Sequence, residues 1–264
     1  MTDKLLIIGC GNMGGAMLAG WLTAGEAPSR FAVLDPALVA APDGVVLHRD
    51  PSDATGHDAV LIGFKPQQLG ALSPALQDVT GAGVTVYSLL AGITLEQLQS
   101  AFPNAKAHVR VMPNLAARIG KSPVILAQRG LDDVARDTAF AFYDKLGSAN
   151  WLEDEAQFDL VTALAGSGPG FVYRFIDALA GATSALGLDE DTAQQLALTM
   201  VEGAASLAAR ADVAPAELAD RVASPGGMTR EGLNVLDDDK ALFALLTETL
   251  RKTRDRGAEL SANS

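Results

Sequence analysis

The stretch KLLIIGCGNMGGAMLAGWL, residues 4–22, decides the fold. A run of aliphatic side chains leads into the motif GCGNMG at residues 9–14, and a helix pattern follows it. A strand, a G-x-G-x-x-G turn and a helix in this order are typical of the first unit of a dinucleotide-binding sheet. The glycines of such a unit allow a tight turn, and the helix N-terminus receives a pyrophosphate. The motif therefore predicts a dinucleotide site at Gly9, Gly11 and Gly14.

The first half of the chain alternates strand patterns with helix patterns. Seven β-branched or aliphatic runs predict strands, at residues 4–8, 31–34, 44–47, 59–64, 84–90, 107–111 and 122–127. Helix patterns lie between several of them, at residues 14–24, 67–76 and 94–102. This repetition predicts an α/β fold whose N-terminal part is a Rossmann-type, doubly wound and mostly parallel sheet covered on both faces.

The strand signals stop at about Trp151, and the rest of the chain reads as helical. Helix patterns cover residues 155–186, 189–210, 215–222 and 237–259. We therefore predict a dinucleotide-binding domain over residues 1–153 and an all-helical domain over residues 154–264. Several of these helices are apolar on more than one face, which favours packing against a second copy of the chain as a homodimer.

Composition excludes several classes of partner. The 264 residues include 20 basic and 32 acidic side chains, and the net charge of −12 disfavours nucleic acid and anionic membrane surfaces. A single cysteine, Cys10, favours a reducing compartment, so we expect a cytoplasmic protein. Glycines interrupt the apolar N-terminus, no segment reads as membrane-spanning, and no metal site is predicted.

Three further positions lie where cofactor contacts are expected, at the carboxyl ends of predicted strands. Asp35 ends the second strand, where a carboxylate can hydrogen-bond the adenosine ribose and would repel the additional phosphate of NADPH. The arginine nearest to Asp35 in sequence, Arg30, precedes that strand and is not expected to bind the phosphate. Asp35 therefore favours NADH, and NADPH remains an alternative cofactor. Residues 64–67 and 112–114 also follow strands and are candidates to line the cofactor.

Further motifs extend the pattern along nearly the whole chain. They are FKPQQ (64–68), SLLAGI (88–93), VRVMPN (109–114), VTALAGSGPGFVY (161–173) and VASPGGMTREGL (222–233). In order and approximate spacing they resemble the pyrroline-5-carboxylate reductases, which catalyse the last step of proline synthesis. The resemblance implies an NAD(P)H-binding domain and a helical domain that binds substrate. It also implies that the helical domain interlocks with a partner chain in a homodimer, which some members assemble further into larger rings.

The resemblance also implies roles for individual residues. At the cofactor these are Gly9, Gly11, Asn12, Met13 and Gly14 for the pyrophosphate, Asp35 for the ribose, and Lys65, Pro66, Ala91, Pro113 and Asn114 along the nicotinamide. At the substrate, 1-pyrroline-5-carboxylate, they are Ser167 and Gly168 beside the active site, Ser224, Gly226, Gly227 and Met228 at the carboxylate, and Thr229 at the ring nitrogen. Gly170 departs from the alanine usual in the family.

The loop around residues 224–229 supports this role on physical grounds. Pro225 fixes one backbone dihedral, and the two glycines after it permit conformations that other residues avoid. A helix pattern resumes immediately, so free amides converge where an anion such as a carboxylate can bind. Thr229 can then hydrogen-bond beside the C=N bond, and either its hydroxyl or a water that it orients can supply the proton.

Three departures within this loop leave the substrate range open. Met228 replaces the small or hydroxyl residue common in the family, and Arg230 and Glu231 add charge. Glu231 would repel an anionic substrate unless Arg230 offsets it or both side chains face outward. A reductase of a related cyclic imino acid and a non-catalytic NAD(P)H sensor remain alternatives. A β-hydroxyacid dehydrogenase is disfavoured because residues 161–174 lack the lysine and asparagine it would need.

Overall fold

The structure is a computed structural model that describes residues 4–262. Within that range the strands are β1 (Leu5–Ile8), β2 (Phe31–Leu34), β3 (Val46–His48), β4 (Ala59–Ile62), β5 (Thr85–Ser88), β6 (Ala107–Met112), β7 (Ser122–Arg129) and β8 (Gly147–Trp151). The α-helices are α1 (Asn12–Thr23), α2 (Leu69–Leu72), α3 (Leu95–Ala101), α4 (Asp133–Asp144), α5 (Phe158–Val161), α6 (Gly168–Ala185), α7 (Glu190–Ala208), α8 (Pro215–Val222), α9 (Met228–Asp237) and α10 (Ala241–Ala262).

The strands form one sheet in the order β3-β2-β1-β4-β5-β6-β7-β8. Strands β1 to β6 run parallel, β7 is antiparallel to β6, and β8 is parallel to β7. The doubly wound, mostly parallel sheet is therefore confirmed. The chain order reverses between β1 and β4, and in open sheets of this kind the ligand crevice lies at that reversal.

Both faces of the sheet are covered, as predicted. Leu5 and Ile7 of β1 belong to a core cluster shared with α1 and α4. Leu6 and Ile8 point the other way, into a cluster shared with α2 and α3. The alternation follows from the two-residue period of a strand, and it fixes β1 as a central strand buried on both sides.

The second half is helical, and its elements fall close to the predicted ranges. Helix α8 occupies the predicted residues, and the range predicted for the first long helix contains α5, a π-helical turn at Thr162–Gly166, and α6. No helix in the described part of the chain is long and apolar enough to cross a membrane.

By compactness the chain divides into two units. The first unit contains the residues up to Ser167 and those from Thr253 onward, and the second unit is Gly168–Lys252. Within the second unit, α6 and α7 pack through small side chains around Ala180 and Ala193. The functional boundary predicted between residues 153 and 154 stays a prediction.

Gly20 marks a close approach inside the first unit. Helix α1 packs against the 3-10 turn Leu115–Ile119. A Cβ atom built on Gly20 would overlap the carbonyl oxygen of Ala117 and lie 2.8 Å from a Leu146 methyl. The contact therefore depends on the absence of a side chain at Gly20.

We expect Gly20→Ala to lower the free energy of unfolding by about 3 kcal/mol, because the helix must move away from the turn. Gly15→Ala is the matched control on the same helix, since its new methyl would have only a carbonyl oxygen at 3.8 Å. Urea unfolding followed by circular dichroism compares the two variants. Equal stability of both would show that the close approach at Gly20 is not required.

Candidate functional site

The glycine-rich turn after β1 has the geometry of a phosphate-binding loop. Gly9 has φ +83°, and its N–H donates to the carbonyl oxygen of Leu34 at 3.0 Å. Gly11 caps α1, no side chain among the described residues caps this helix start, and a Cβ on Gly11 would meet nothing within 4 Å. The first turn of α1 carries the other predicted residues, Asn12, Met13 and Gly14. The open amides of this helix start fit a pyrophosphate.

A cavity of about 640 Å³ adjoins this turn in the first unit. Four of the predicted cofactor residues line it, namely Gly9, Gly11, Asp35 and Lys65. Its lining comes from the ends of β1, β2 and β4, which is the edge where the chain order reverses. The size and position of the cavity fit the adenosine end of a dinucleotide.

Asp35 joins the two turns that border this cavity. Its Oδ2 accepts from the N–H of Cys10 at 2.9 Å. Its Oδ1 accepts from the N–H groups of Ala37 and Leu38 at 2.9 and 3.1 Å. Each carboxylate oxygen can accept about two hydrogen bonds, so Oδ2 retains capacity for a ribose hydroxyl.

Cys10 is buried inside the phosphate-binding turn. Burial raises the pKa of its thiol to about 11, and the charge of Asp35 adds to the increase. The thiolate is the reactive form of cysteine, so Cys10 is an unreactive thiol at neutral pH.

Two loops that were predicted to line the nicotinamide follow β4 and β5. After β4, Lys65 is exposed and its N–H donates to Gln68 Oε1 at 3.1 Å, while Pro66 opens a 3-10 turn. After β5, Ala91 is exposed in a turn. Both segments lie at the carboxyl edge of the sheet, as the predicted role requires.

Asn114 is buried, whereas a residue whose side chain lines the cofactor is expected to be partly exposed. Only 6% of its surface is exposed. Its Oδ1 accepts from the N–H of Ala116, and its Nδ2 donates to the carbonyl oxygen of Ala165, both at 2.9 Å. The Asn114 side chain therefore fixes the loop after β6, and Pro113 beside it is buried as well.

The carbonyl that receives Asn114 belongs to the π-helical turn Thr162–Gly166. The N–H of Ser167 donates to the carbonyl oxygen of Thr162 at 3.1 Å, which is the spacing of a π-helix. Such turns occur frequently at functional sites. The predicted pair Ser167 and Gly168 stands where this turn gives way to α6.

The predicted substrate loop lies in the second unit, between α8 and α9. Gly226 has φ +68°, and the N–H of Gly227 donates to the carbonyl oxygen of Ser224 at 2.9 Å, closing the turn. Helix α9 begins at Met228 without a side-chain cap among the described residues. Thr229 is exposed in its first turn. The loop therefore presents open amides and a hydroxyl together.

Arg230 holds the two ends of this loop. Its Nη2 donates to Asp220 Oδ1 at 2.7 Å and lies 3.4 Å from the carbonyl oxygen of Ala223. The Arg230 side chain therefore extends from α9 to Asp220 in α8. Because Arg230 forms an ion pair with Asp220, its positive charge does not serve only to offset the negative charge of Glu231.

Sequence reasoning missed the ion pair between the buried Arg110 and the half-buried Glu155. Arg110 Nη1 lies 2.9 Å from Glu155 Oε1, and that oxygen also accepts from the N–H of Leu95 at 2.8 Å. The Arg110 guanidinium stacks 3.8 Å from the centre of the Phe158 ring. The pair ties β6 to the start of α3. A charged residue inside the apolar run of β6 was the signal that could have revealed it.

Sequence reasoning also missed Arg49, which follows β3. The register pairs Leu34 of β2 with His48 of β3, so the next residue lies beside Asp35. Arg49 Nη1 donates to the backbone carbonyl oxygen of Asp35 at 2.8 Å. Arg30 is the arginine nearest to Asp35 in sequence, whereas Arg49 reaches the site from the neighbouring strand.

Comparisons with known proteins show which family this chain and its fold resemble. Residues 155–260 match the model of pyrroline-5-carboxylate reductase dimerisation. The chain is 32% identical to pyrroline-5-carboxylate reductase 2 of Bacillus subtilis, over 97% of this chain and 95% of that protein. It is 31% identical to the pyrroline-5-carboxylate reductase of Pseudomonas aeruginosa, over 98% and 97%. A solved pyrroline-5-carboxylate reductase of Coxiella burnetii superposes with a TM-score of 0.91 at 29% identity, covering 99% of each chain.

Proposed function

The chain belongs to the pyrroline-5-carboxylate reductase family, and on that premise we propose that it reduces 1-pyrroline-5-carboxylate to L-proline with NAD(P)H, the last step of proline biosynthesis. The observation that carries the proposal is the loop before α9. Its turn at Gly226 and the uncapped helix start after it suit a small carboxylate, and the Thr229 hydroxyl lies one residue into the helix.

The proposed roles divide between binding the cofactor and handling the imine. For the cofactor we propose Gly9, Gly11, Asn12, Met13 and Gly14 at the pyrophosphate, Asp35 at the ribose, and Lys65, Pro66, Ala91 and Pro113 along the nicotinamide, with Asn114 fixing that loop. For the substrate we propose Ser224, Gly226, Gly227 and Met228 at the carboxylate, and Ser167 and Gly168 beside the ring.

In this reaction the main task of these residues is to position the substrate and the cofactor relative to each other. When bound, reduced nicotinamide supplies a hydride to the imine carbon. The loop amides fix the carboxylate and hence the ring, which sets the distance over which the two reactants meet. Thr229, or a water that it orients, donates a hydrogen bond to the ring nitrogen and supplies the proton that the nitrogen must gain.

We also propose that the working form is a homodimer in the cytoplasm. Large apolar side chains stand exposed on the helices of the second unit, including Tyr173, Leu196, Met200 and Phe243. Such an apolar surface supports burial against a second copy. The single cysteine supports a reducing compartment, and the net charge of −12 argues against nucleic acid and anionic membrane partners. Light scattering distinguishes a dimer from a larger ring built of dimers.

A related cyclic imino acid is the second candidate substrate. Met228 is 93% exposed at the start of α9, directly beside the proposed carboxylate site. A long, flexible apolar side chain at that position can change rotamer and contact the additional methylene group of a larger ring, which a small residue would not reach.

The assay that tests the proposal follows the loss of reduced-nicotinamide absorbance with 1-pyrroline-5-carboxylate and either NADPH or NADH. We expect cofactor oxidation with an equal amount of proline formed. The six-membered cyclic imino acid is the comparison substrate, and a higher kcat/KM for it would transfer the function to the second candidate. Cofactor binding without oxidation on either substrate would identify a sensor.

A further inference from the structure

Arg49 carries a charge that the fold does not neutralise. It lines the same cavity as Asp35 and Gly9. Its hydrogen bonds run to the backbone carbonyl oxygens of Asp35 at 2.8 Å and Val39 at 3.4 Å. Among the described residues no carboxylate lies within ion-pair distance of Arg49. The guanidinium is therefore held at the cavity by neutral acceptors, and no carboxylate of the described residues pairs with it.

The acidic neighbours of Arg49 are committed to other donors. The Asp35 carboxylate accepts from three backbone N–H groups around its own turn and the glycine-rich turn. Asp50, the next residue in the chain, accepts from the N–H and the hydroxyl of Ser52 at 2.9 and 2.7 Å. Neither side chain competes with an anionic ligand for Arg49.

The position of Arg49 selects one part of the cofactor. The end of β2 marks the adenosine ribose in sheets of this type, where a carboxylate binds the 2′-hydroxyl of NAD or a nearby arginine accommodates the 2′-phosphate of NADP. This chain has both groups at that place, Asp35 and Arg49. A guanidinium has five N–H donors, and two of them are used by the two carbonyl oxygens. The other three suit a phosphate, for which the planar fork of arginine is well matched.

We propose that Arg49 binds the 2′-phosphate of NADPH and makes NADPH the preferred cofactor. The proposal rests on the proposed function and specifies its cofactor. It differs from the expectation based on Asp35 alone, because the repulsion between a carboxylate and a phosphate is offset by a cation anchored on the carbonyl group of the same residue.

The experiment measures binding to the full-length protein by isothermal titration calorimetry, without turnover. The probes are adenosine 2′,5′-bisphosphate and adenosine 5′-monophosphate, which differ only in the 2′-phosphate. We expect the wild type to bind the bisphosphate at least about tenfold more tightly, and Arg49→Gln to reduce that preference about tenfold or more. Arg49→Lys keeps the charge and should retain part of the preference. Arg129→Gln is the matched control, because Arg129 is exposed on β7, six strands away from β3 in the sheet.

A wild type without preference for the bisphosphate would overturn the proposal, and so would an Arg49→Gln variant that keeps the full preference while Arg129→Gln behaves identically. The failure of the proposed function looks different. In that case the probes bind as expected and the preference depends on Arg49, but 1-pyrroline-5-carboxylate is not reduced with either cofactor. Circular dichroism spectra of the variants identify a loss of folding, and Arg49→Lys then provides the decisive comparison.

Discussion

Replacing Thr229 with alanine is expected to lower kcat at least about a hundredfold while the Kd of NADPH changes by less than about twofold. The hydroxyl lies exposed in the first turn of α9 and has no hydrogen-bond partner among the described residues. It is therefore free to donate to the ring nitrogen or to orient the water that does so. Stopped-flow measurement of a single turnover reports the reduction step, and NADPH fluorescence reports binding.

Two further substitutions separate the hydroxyl from the shape of the side chain. Thr229→Ser keeps the hydroxyl, and we expect it to stay within about tenfold of the wild-type kcat. Thr229→Val keeps the branched shape without the hydroxyl and should be as slow as the alanine variant. If the alanine variant turned over at the wild-type rate, Thr229 would have no part in delivering the proton.

Replacing Gly9 with alanine is expected to raise the Kd of NADPH about a hundredfold and to destabilise the protein as well. Gly9 has φ +83°, a region that costs an L-residue about 1–2 kcal/mol. Its new Cβ would also lie 2.8 Å from the backbone nitrogen of Phe64. The loop after β4 or the glycine-rich turn must move, and either movement displaces the amides that are proposed to bind the pyrophosphate.

Gly11→Ala distinguishes the steric demand of the fold from that of the cofactor. Apart from its chain neighbours, no atom of residues 4–262 lies within 4 Å of a Cβ built on Gly11, so the unliganded protein should lose less than about 1 kcal/mol of stability. The methyl group nevertheless projects beside the helix start that is proposed to bind the pyrophosphate, and the Kd of NADPH should rise. Chemical denaturation of the unliganded variants and NADPH titration test both expectations. Equal stability of Gly9→Ala and Gly11→Ala would show that the close approach of Gly9 to Phe64 does not constrain the fold.

Much of the fold could be predicted because its strands are short, apolar and separated by clear turn signals. The run LLII is buried completely and is followed at once by the glycine motif, so β1 and α1 are unambiguous. Strand β8 was missed because GSANW consists mainly of small and polar residues and has no aliphatic run. Its extended conformation depends on hydrogen bonding to β7. The single helix predicted at residues 67–76 is instead a short α2 with a 3-10 turn on each side. Pro66 begins the first 3-10 turn and Pro74 lies in the second.

Parts of the candidate site that lie within one short segment could be predicted from the sequence. Contacts that depend on which strands pair, and in which register, could not. The glycine turn and the loop at residues 224–229 carry their geometry in their own residue types. Arg49 reaches Asp35 only because β2 and β3 pair as neighbours, which no spacing along the chain discloses. The buried role of Asn114 depends in the same way on a carbonyl group 51 residues later in the chain.

The contact at Gly20 has a consequence for how the cofactor enters. Helix α1 begins at the glycine-rich turn proposed to bind the pyrophosphate. The 3-10 turn against which it packs begins directly after Asn114, in the loop proposed to line the nicotinamide. Packing within the protein therefore sets the distance between the two proposed cofactor-binding segments in the absence of ligand. We expect NAD(P)H to dock into a preorganised frame, so that little conformational entropy is lost within the first unit on binding.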